Sequence, residues 1–221
     1  MKFKCVIFDL DGTLVDTLAD IAASMNRALE AHGFPAVAPE AYRDIVGWGI
    51  RRLAWLALPV EAREDGLADK VAAAATVFYA EKPLLHSRPY PGMPELVGQL
   101  RHKKVKTAVL TNKPDPVARK VIDGLFASSS FDIIHGDVPG APRKPDPTST
   151  WEIILELDAT PRETIFVGDS EIDLETARAS GCHSLAVSWG FRSREVLQKA
   201  GAERIIDAPG ELLPVIDGVW R

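Results

Sequence analysis

Short apolar, β-branched runs that end in Asp, Asn or Gly recur along the chain, at 4–10, 106–111, 131–136, 164–168 and 183–188, with a weaker run at 204–206. Their unbroken apolar character predicts strands buried on both faces, as in a parallel sheet. Between them, residues 93–102, 115–125, 147–157 and 172–180 carry helical patterns. Each supplies the crossover that parallel pairing requires. Strand alternating with helix predicts an α/β, doubly wound parallel sheet.

One gap breaks the rhythm. From Asp16 to about Arg88 the pattern is helical only, without a convincing strand. Leu18, Ile21, Ala22, Met25 and Leu29 follow the i, i+3, i+4 spacing of an amphipathic helix. Thr17-Leu18-Ala19-Asp20 reads as a capping box with Asp in place of Glu. Residues 61–81 predict a second long, alanine-rich helix, and Pro83, Pro89, Pro91 and Gly92 a rigid re-entry. The expected organisation is therefore a core of 1–15 and 89–221 carrying an inserted α-helical lid of 16–88.

Composition narrows the function classes. In 221 residues, 26 Lys and Arg stand against 31 Asp and Glu, a net charge of −5 that leaves no basic footprint for nucleic acid or an acidic membrane. The first apolar run is cut by Asp9 and Asp11, too early for a signal-peptide core, and the most apolar stretch, 71–80, is too short to span a bilayer. A cytoplasmic chain is expected. Cys5 and Cys182, with no C-x-x-C, read as reduced packing residues. The five histidines are too scattered in sequence for an H-x-x-x-H zinc pair. Monomer and homodimer both stay open.

In doubly wound sheets ligands bind at the carboxyl ends of the strands, where strand order reverses. Those ends read Asp9-Leu10-Asp11-Gly12-Thr13, Thr111-Asn112-Lys113, and Gly168-Asp169-Ser170 followed by Asp173; Lys144-Pro145-Asp146-Pro147 lies after the third strand. Crowded carboxylates repel unless a cation neutralises them, and oxygen-only ligands point to Mg²⁺. Asp9, held at a strand end, suits a carboxylate nucleophile, and Asp11, two residues on, an acid and base for the leaving oxygen and the attacking water. Gly12 permits the turn out of the strand. Thr111 and the Asn112 amide would hydrogen-bond phosphoryl oxygens, and Lys144 would offset their charge.

These four segments, in this order and spanning residues 9 to 173, resemble the motifs of the haloacid dehalogenase-like hydrolases. Within that superfamily the chain looks most like the phosphoglycolate phosphatase group, which carries a small helical cap after the first motif. The resemblance implies a Rossmann-like core, Mg²⁺ and an aspartyl-phosphate intermediate. It also implies metal ligation by the Asp9 and Asp169 side chains and the Asp11 carbonyl, with Asp173 orienting metal waters or Lys144. Substrate contacts are expected from Gly12, Thr13 and Lys113, and from a cap loop, Gly47-Trp48-Gly49-Ile50-Arg51-Arg52, whose Arg51 or Arg52 would pair with a substrate carboxylate. That loop is no dinucleotide fingerprint, because Arg52 stands at the third glycine position.

The presence of Asp11 argues against the dehalogenase branch. Lys70 and Lys82 are the only cap lysines, and nothing in the sequence marks either as buried, which argues against a Schiff-base phosphonatase. The expected function is a Mg²⁺-dependent phosphatase of a small phosphorylated metabolite, 2-phosphoglycolate first. The alternatives are a mutase of the β-phosphoglucomutase type, a phosphatase of another substrate (sugar phosphate, nucleotide or pyrophosphate), or a non-catalytic phosphate-binding module.

Overall fold

Val6 and Phe8 turn to one face of the first strand and Cys5 and Ile7 to the other, and all four are buried. A strand apolar on both faces has to be sandwiched, and the computed structural model, which describes residues 3–219, has it at the centre of a sheet. Strand β1 (Cys5–Phe8) is followed by a two-residue strand β2 (Val15–Asp16) and helices α1 (Leu18–Ala31), α2 (Ile50–Ala57) and α3 (Asp65–Glu81). A second two-residue strand, β3 (Arg88–Pro89), leads to α4 (Met93–His102), β4 (Lys106–Pro114), α5 (Asp115–Leu125) and β5 (Ile133–Asp137). The chain ends through α6 (Thr148–Glu156), β6 (Thr164–Gly168), α7 (Glu171–Ser180), β7 (His183–Val187), α8 (Arg194–Lys199), β8 (Ile205–Ile206) and α9 (Leu212–Ile216).

The sheet runs β5-β4-β1-β6-β7-β8, all parallel, with β1 pairing Cys5 to Lys106 on one side and to Thr164 on the other. The chain builds outward from β1 to β5, then crosses back to β6. Strand order therefore reverses beside β1, which opens a crevice at its carboxyl end. Cys5, Ile7, Ile153, Phe166 and Cys182 pack together under α6 and α7. Both thiols are free and buried, and burial pushes them up to about 12 and about 11, which keeps them unreactive.

Three local expectations yield to tertiary contacts. The Thr17–Asp20 capping box does not form: the Thr17 hydroxyl donates to Asp11 Oδ1 at 2.6 Å. The buried Asp20 carboxylate instead accepts from the His86 and Ser87 N–H groups and the Ser87 hydroxyl. These partners saturate a carboxylate that burial would otherwise leave costly, and they pin α1 beside β3. The helix expected over 61–81 begins at Asp65, because Val60–Ala62 is a single 3-10 turn and Glu64 is extended. Before it lies α2: Ile50, Leu53, Ala54 and Ala57 keep helical spacing, but over only eight residues, the first three of which read as part of the 47–52 loop. Arg63 closes that helix by donating to the Leu56 and Leu58 carbonyls at 3.0 and 3.1 Å. The stretch read as strand-free also carries β2 and β3, which pair antiparallel, Val15 with Pro89 and Asp16 with Arg88. Asp16 Oδ1 accepts from Leu18 N–H at the head of α1.

Among the described residues no helix is long and apolar enough to cross a membrane.

Candidate active site

Asp9 lies one residue past β1, yet its N–H still bonds the Val167 carbonyl of β6 at 2.9 Å, so the ladder holds its backbone. Asp169 follows β6 by one residue, and Asp173 is in the first turn of α7. One carboxylate oxygen from each of these three buried acids lies within 4.8 Å of the others, and this is the one such group of possible metal ligands among the described residues. Burial, with the neighbouring acids, drives Asp9 well above the ordinary carboxylate range and Asp169 up to about 7.

Lys144 is the counter-ion. Its Nζ donates to Asp9 Oδ1 and to Asp173 Oδ1, both at 2.7 Å. Burial alone would lower its pKa, but the Asp173 and Asp9 charges outweigh burial and raise it. The other oxygen of Asp173 accepts from the Ser170 N–H and hydroxyl at 3.1 and 2.7 Å. Asp173 thus serves the head of α7 and Lys144 at once.

Asp169 is held by the Thr13 hydroxyl at 3.1 Å and the Phe191 N–H at 2.7 Å. Backbone crowds it so closely that a Cβ on Gly12 would come within 2.4 Å of its Oδ2, and one on Gly190 within 2.2 Å of its Cβ. Gly12 also has φ of +87°, a left-handed turn open to glycine. Gly12 and Thr13 therefore seat Asp169 and do not line the cavity as expected of substrate contacts. Gly190 and Phe191 are site residues that sequence reasoning missed.

Asp11 faces the same crevice from the loop. It accepts from Lys113 Nζ at 2.9 and 3.1 Å and from Thr17, outside the three-acid cluster. Burial works against the Lys113 charge, but the Asp11 carboxylate outweighs it and holds its pKa above normal; Nζ also lies 4.1 Å from the centre of the Tyr79 ring. Thr111 and Asn112 lie inside β4, which runs three residues beyond its expected end. Thr111 Oγ1 accepts from Lys113 N–H at 3.2 Å and borders the cavity.

Asn112 is a correction. Its Oδ1 accepts from Lys144 N–H at 3.0 Å, and its Nδ2 donates to the carbonyls of Lys144 (3.0 Å) and Gly47 (2.9 Å). With both side-chain amide protons used, it is a clamp between the Lys144 segment and the loop before α2, and no side-chain donor is left for a phosphoryl oxygen. Asn112→Ala is expected to cost about 2–3 kcal/mol, read as a lower denaturant midpoint at constant m. A cost under about 0.5 kcal/mol would show that the clamp carries no weight.

The loop expectation divides. Gly47 and Gly49 border the cavity, with Ile50. Trp48 is 40% exposed and does not. Arg51 is turned away, onto Asp65 (2.9 Å) and Asp69 (2.5 Å) of α3, and Arg52 stacks on Trp55 at 4.5 Å. Both arginines satisfy charges and rings of their own segment, and neither lines the cavity. Sequence reasoning also missed Arg192, only 5% exposed, which pairs with Glu171 and donates to the Val46 and Arg43 carbonyls.

With all four carboxylates ionised (Asp9, Asp11, Asp169, Asp173), the two ammonium groups (Lys113, Lys144) leave two negative charges at and just behind the cavity wall. A buried all-oxygen cluster with that deficit fits a hard divalent cation. The motifs recognised in the sequence converge in one crevice, and a family model described as haloacid dehalogenase-like hydrolase matches residues 6–187. The chain belongs to this family. Within it stands the phosphoglycolate phosphatase-like group. The hydrolase is 32% identical to a phosphoglycolate phosphatase of Pseudomonas putida, over 96% of this chain and 79% of that one. It is also 32% identical to the N-acetylmuramic acid 6-phosphate phosphatase of Pseudomonas aeruginosa, over 98% and 96%. A crystal structure from Lactobacillus delbrueckii subsp. bulgaricus superposes with a TM-score of 0.92 at 34% identity, covering 98% of this chain and 99% of its own. The hydrolase is a phosphoric monoester hydrolase, and enzymes of its family generally use a divalent metal.

Proposed function

We propose that this hydrolase is a Mg²⁺-dependent phosphatase of a small phosphorylated metabolite, working through an aspartyl phosphate on Asp9. The observation that carries the reading is the three-acid cluster around Asp9, with Lys144 as its one ammonium partner. Asp9, Asp169 and the Asp11 carbonyl would hold Mg²⁺, with Asp173 beside them. The ion would supply charge neutralisation for the phosphoryl oxygens, which carboxylates alone would repel.

Asp9 attacks phosphorus as the ester P–O bond breaks, and the leaving oxygen takes a proton from the Asp11 carboxyl. Water then attacks phosphorus, gives its proton to Asp11, and releases Asp9 as the Asp9–phosphorus bond breaks. Lys113, bonded to both Asp11 oxygens, steadies the carboxylate form that receives the proton. Thr111 binds a phosphoryl oxygen, and Lys144 offsets phosphoryl charge from its place beside Asp9. Residues 16–88 act as a cap domain over a core of 1–15 and 89–221, excluding water during the reaction.

The names of relatives support 2-phosphoglycolate as the reference substrate. The test is phosphate release from 2-phosphoglycolate, sugar phosphates, nucleotides and pyrophosphate, with Mg²⁺ and with chelator. Chelation is expected to lower turnover at least about 10³-fold, reversed by added Mg²⁺. Turnover untouched by chelator would end the metal reading. Isomerisation of a sugar phosphate without phosphate release would move it to a mutase.

A further inference from the structure

The cavity above Asp9 opens to solvent, and its two halves differ in chemistry. The core half carries every charged group that lines it: Asp9, Asp11, Lys113 and Lys144. The half contributed by residues 16–88 carries none. Ile21, Ile50, Leu53 and Ala75 make most of its wall. Its hydroxyls at Ser24 and Thr76 donate back to the Asp20 and Ala72 carbonyls of their own helices, at 2.7 and 2.8 Å.

One polar atom there is different. Tyr79 borders the cavity as a residue only 6% exposed, and its hydroxyl is buried with no hydrogen-bond partner within range. Three polar side chains act on it: Lys113 and Asp11, which are bonded to each other, and Ser87, whose hydroxyl donates to Asp20. A buried unpaired hydroxyl is costly, and a bound ligand's oxygen would remove that cost. The other unpartnered buried side-chain atom among the described residues, Thr150 Oγ1, does not line the cavity.

The core has no cation to spare. Lys113 and Lys144 are matched to carboxylates, and a divalent ion would only cancel the two negative charges left over. A carboxylate on the leaving group would meet an apolar wall without a counter-charge, which is expensive. A neutral group with carbon against Ile50 and Leu53 and one oxygen toward Tyr79 meets no such penalty.

We propose that the Tyr79 hydroxyl is the leaving-group contact and that the substrate class is phosphate monoesters of uncharged, hydroxyl- or carbonyl-bearing alcohols. The inference rests on the phosphatase reading above and narrows its substrate. On the Mg²⁺-loaded enzyme, glycerol 1-phosphate is expected to exceed 2-phosphoglycolate in kcat/KM by about ten-fold or more. It should also exceed propyl phosphate, its analogue without hydroxyls. Tyr79→Phe keeps the ring beside Lys113 and should lower kcat/KM about ten-fold for glycerol 1-phosphate, but less than about two-fold for propyl phosphate. Ile50→Arg, which brings a cation to the apolar wall, should shift the preference about ten-fold toward 2-phosphoglycolate.

A wild-type preference for 2-phosphoglycolate, or equal losses on both neutral substrates in Tyr79→Phe, would overturn the inference and leave the phosphatase reading intact. No phosphate release from any monoester, 4-nitrophenyl phosphate included, would overturn both.

Discussion

Asp9→Asn is expected to lower kcat by at least about 10⁴-fold, because an amide oxygen cannot take the place of the carboxylate that attacks phosphorus. The fold should survive. Asn is nearly isosteric, the backbone is held by the Val167 carbonyl through β-ladder bonding, and the change removes one of the buried charges that repel one another around Asp169 and Asp173. Thermal melting should therefore fall by no more than a few degrees and can rise. Initial rates of phosphate release alongside melts of both proteins check the pair of expectations. A variant that turns over within ten-fold of the wild type would remove Asp9 as nucleophile. Acid quench of the wild-type enzyme during turnover should trap phosphate on Asp9, and the variant should trap none.

Lys144→Ala has the second-largest expected effect, on stability and on rate together. Its ammonium is buried between Asp9 and Asp173, and its loss leaves those carboxylates without a protein cation. Breaking a buried pair in this way costs about 3–5 kcal/mol, which for a chain of this size lowers Tm by roughly 10 °C. Mg²⁺ should restore part of that loss, since it binds the folded cluster alone. The sign of the pH effect follows from the same contacts. Burial raises the Asp9 carboxyl and the Lys144 charge is the chief influence lowering it, so removing Lys144 raises it further. The nucleophile must be ionised to attack, and the acid limb of kcat/KM should move to higher pH. An unshifted limb with unchanged stability would mean that Lys144 does not hold Asp9.

The strands and the core helices were legible because their signal is local and strong. Runs such as 164–168 have apolar side chains on both faces, which only a sandwiched parallel strand accommodates, and Met93–His102 and Asp115–Leu125 fall where their periodicity predicts them. Four acids and two lysines at strand ends were legible for the same reason, since the carboxyl edge of a doubly wound sheet is where such groups converge. The helix at Ile50–Ala57 was not, because its apolar face of Ile50, Leu53, Ala54 and Ala57 spans only eight residues and its start coincides with the glycine-rich stretch 47–52 that reads as a loop. The Thr17–Asp20 pattern misled because Asp11, six residues before Thr17, and His86 and Ser87, more than sixty residues beyond Asp20, compete for the same side-chain atoms and win in the folded chain.

What the sequence determined by itself is therefore the α/β layering, the helical segment between the first two core strands, and the residue types gathered at the site. Those follow from periodicity and from the fixed direction of parallel strands. The tertiary structure alone decided what each side chain has left to offer. Asn112 is used up by Lys144 and Gly47, Thr13 by Asp169, and Arg51 by Asp65 and Asp69, while the Tyr79 hydroxyl is buried with nothing to bond. A hydrogen bond is a short, directional contact between atoms far apart in the chain, and no spacing along a sequence records which partner arrives first.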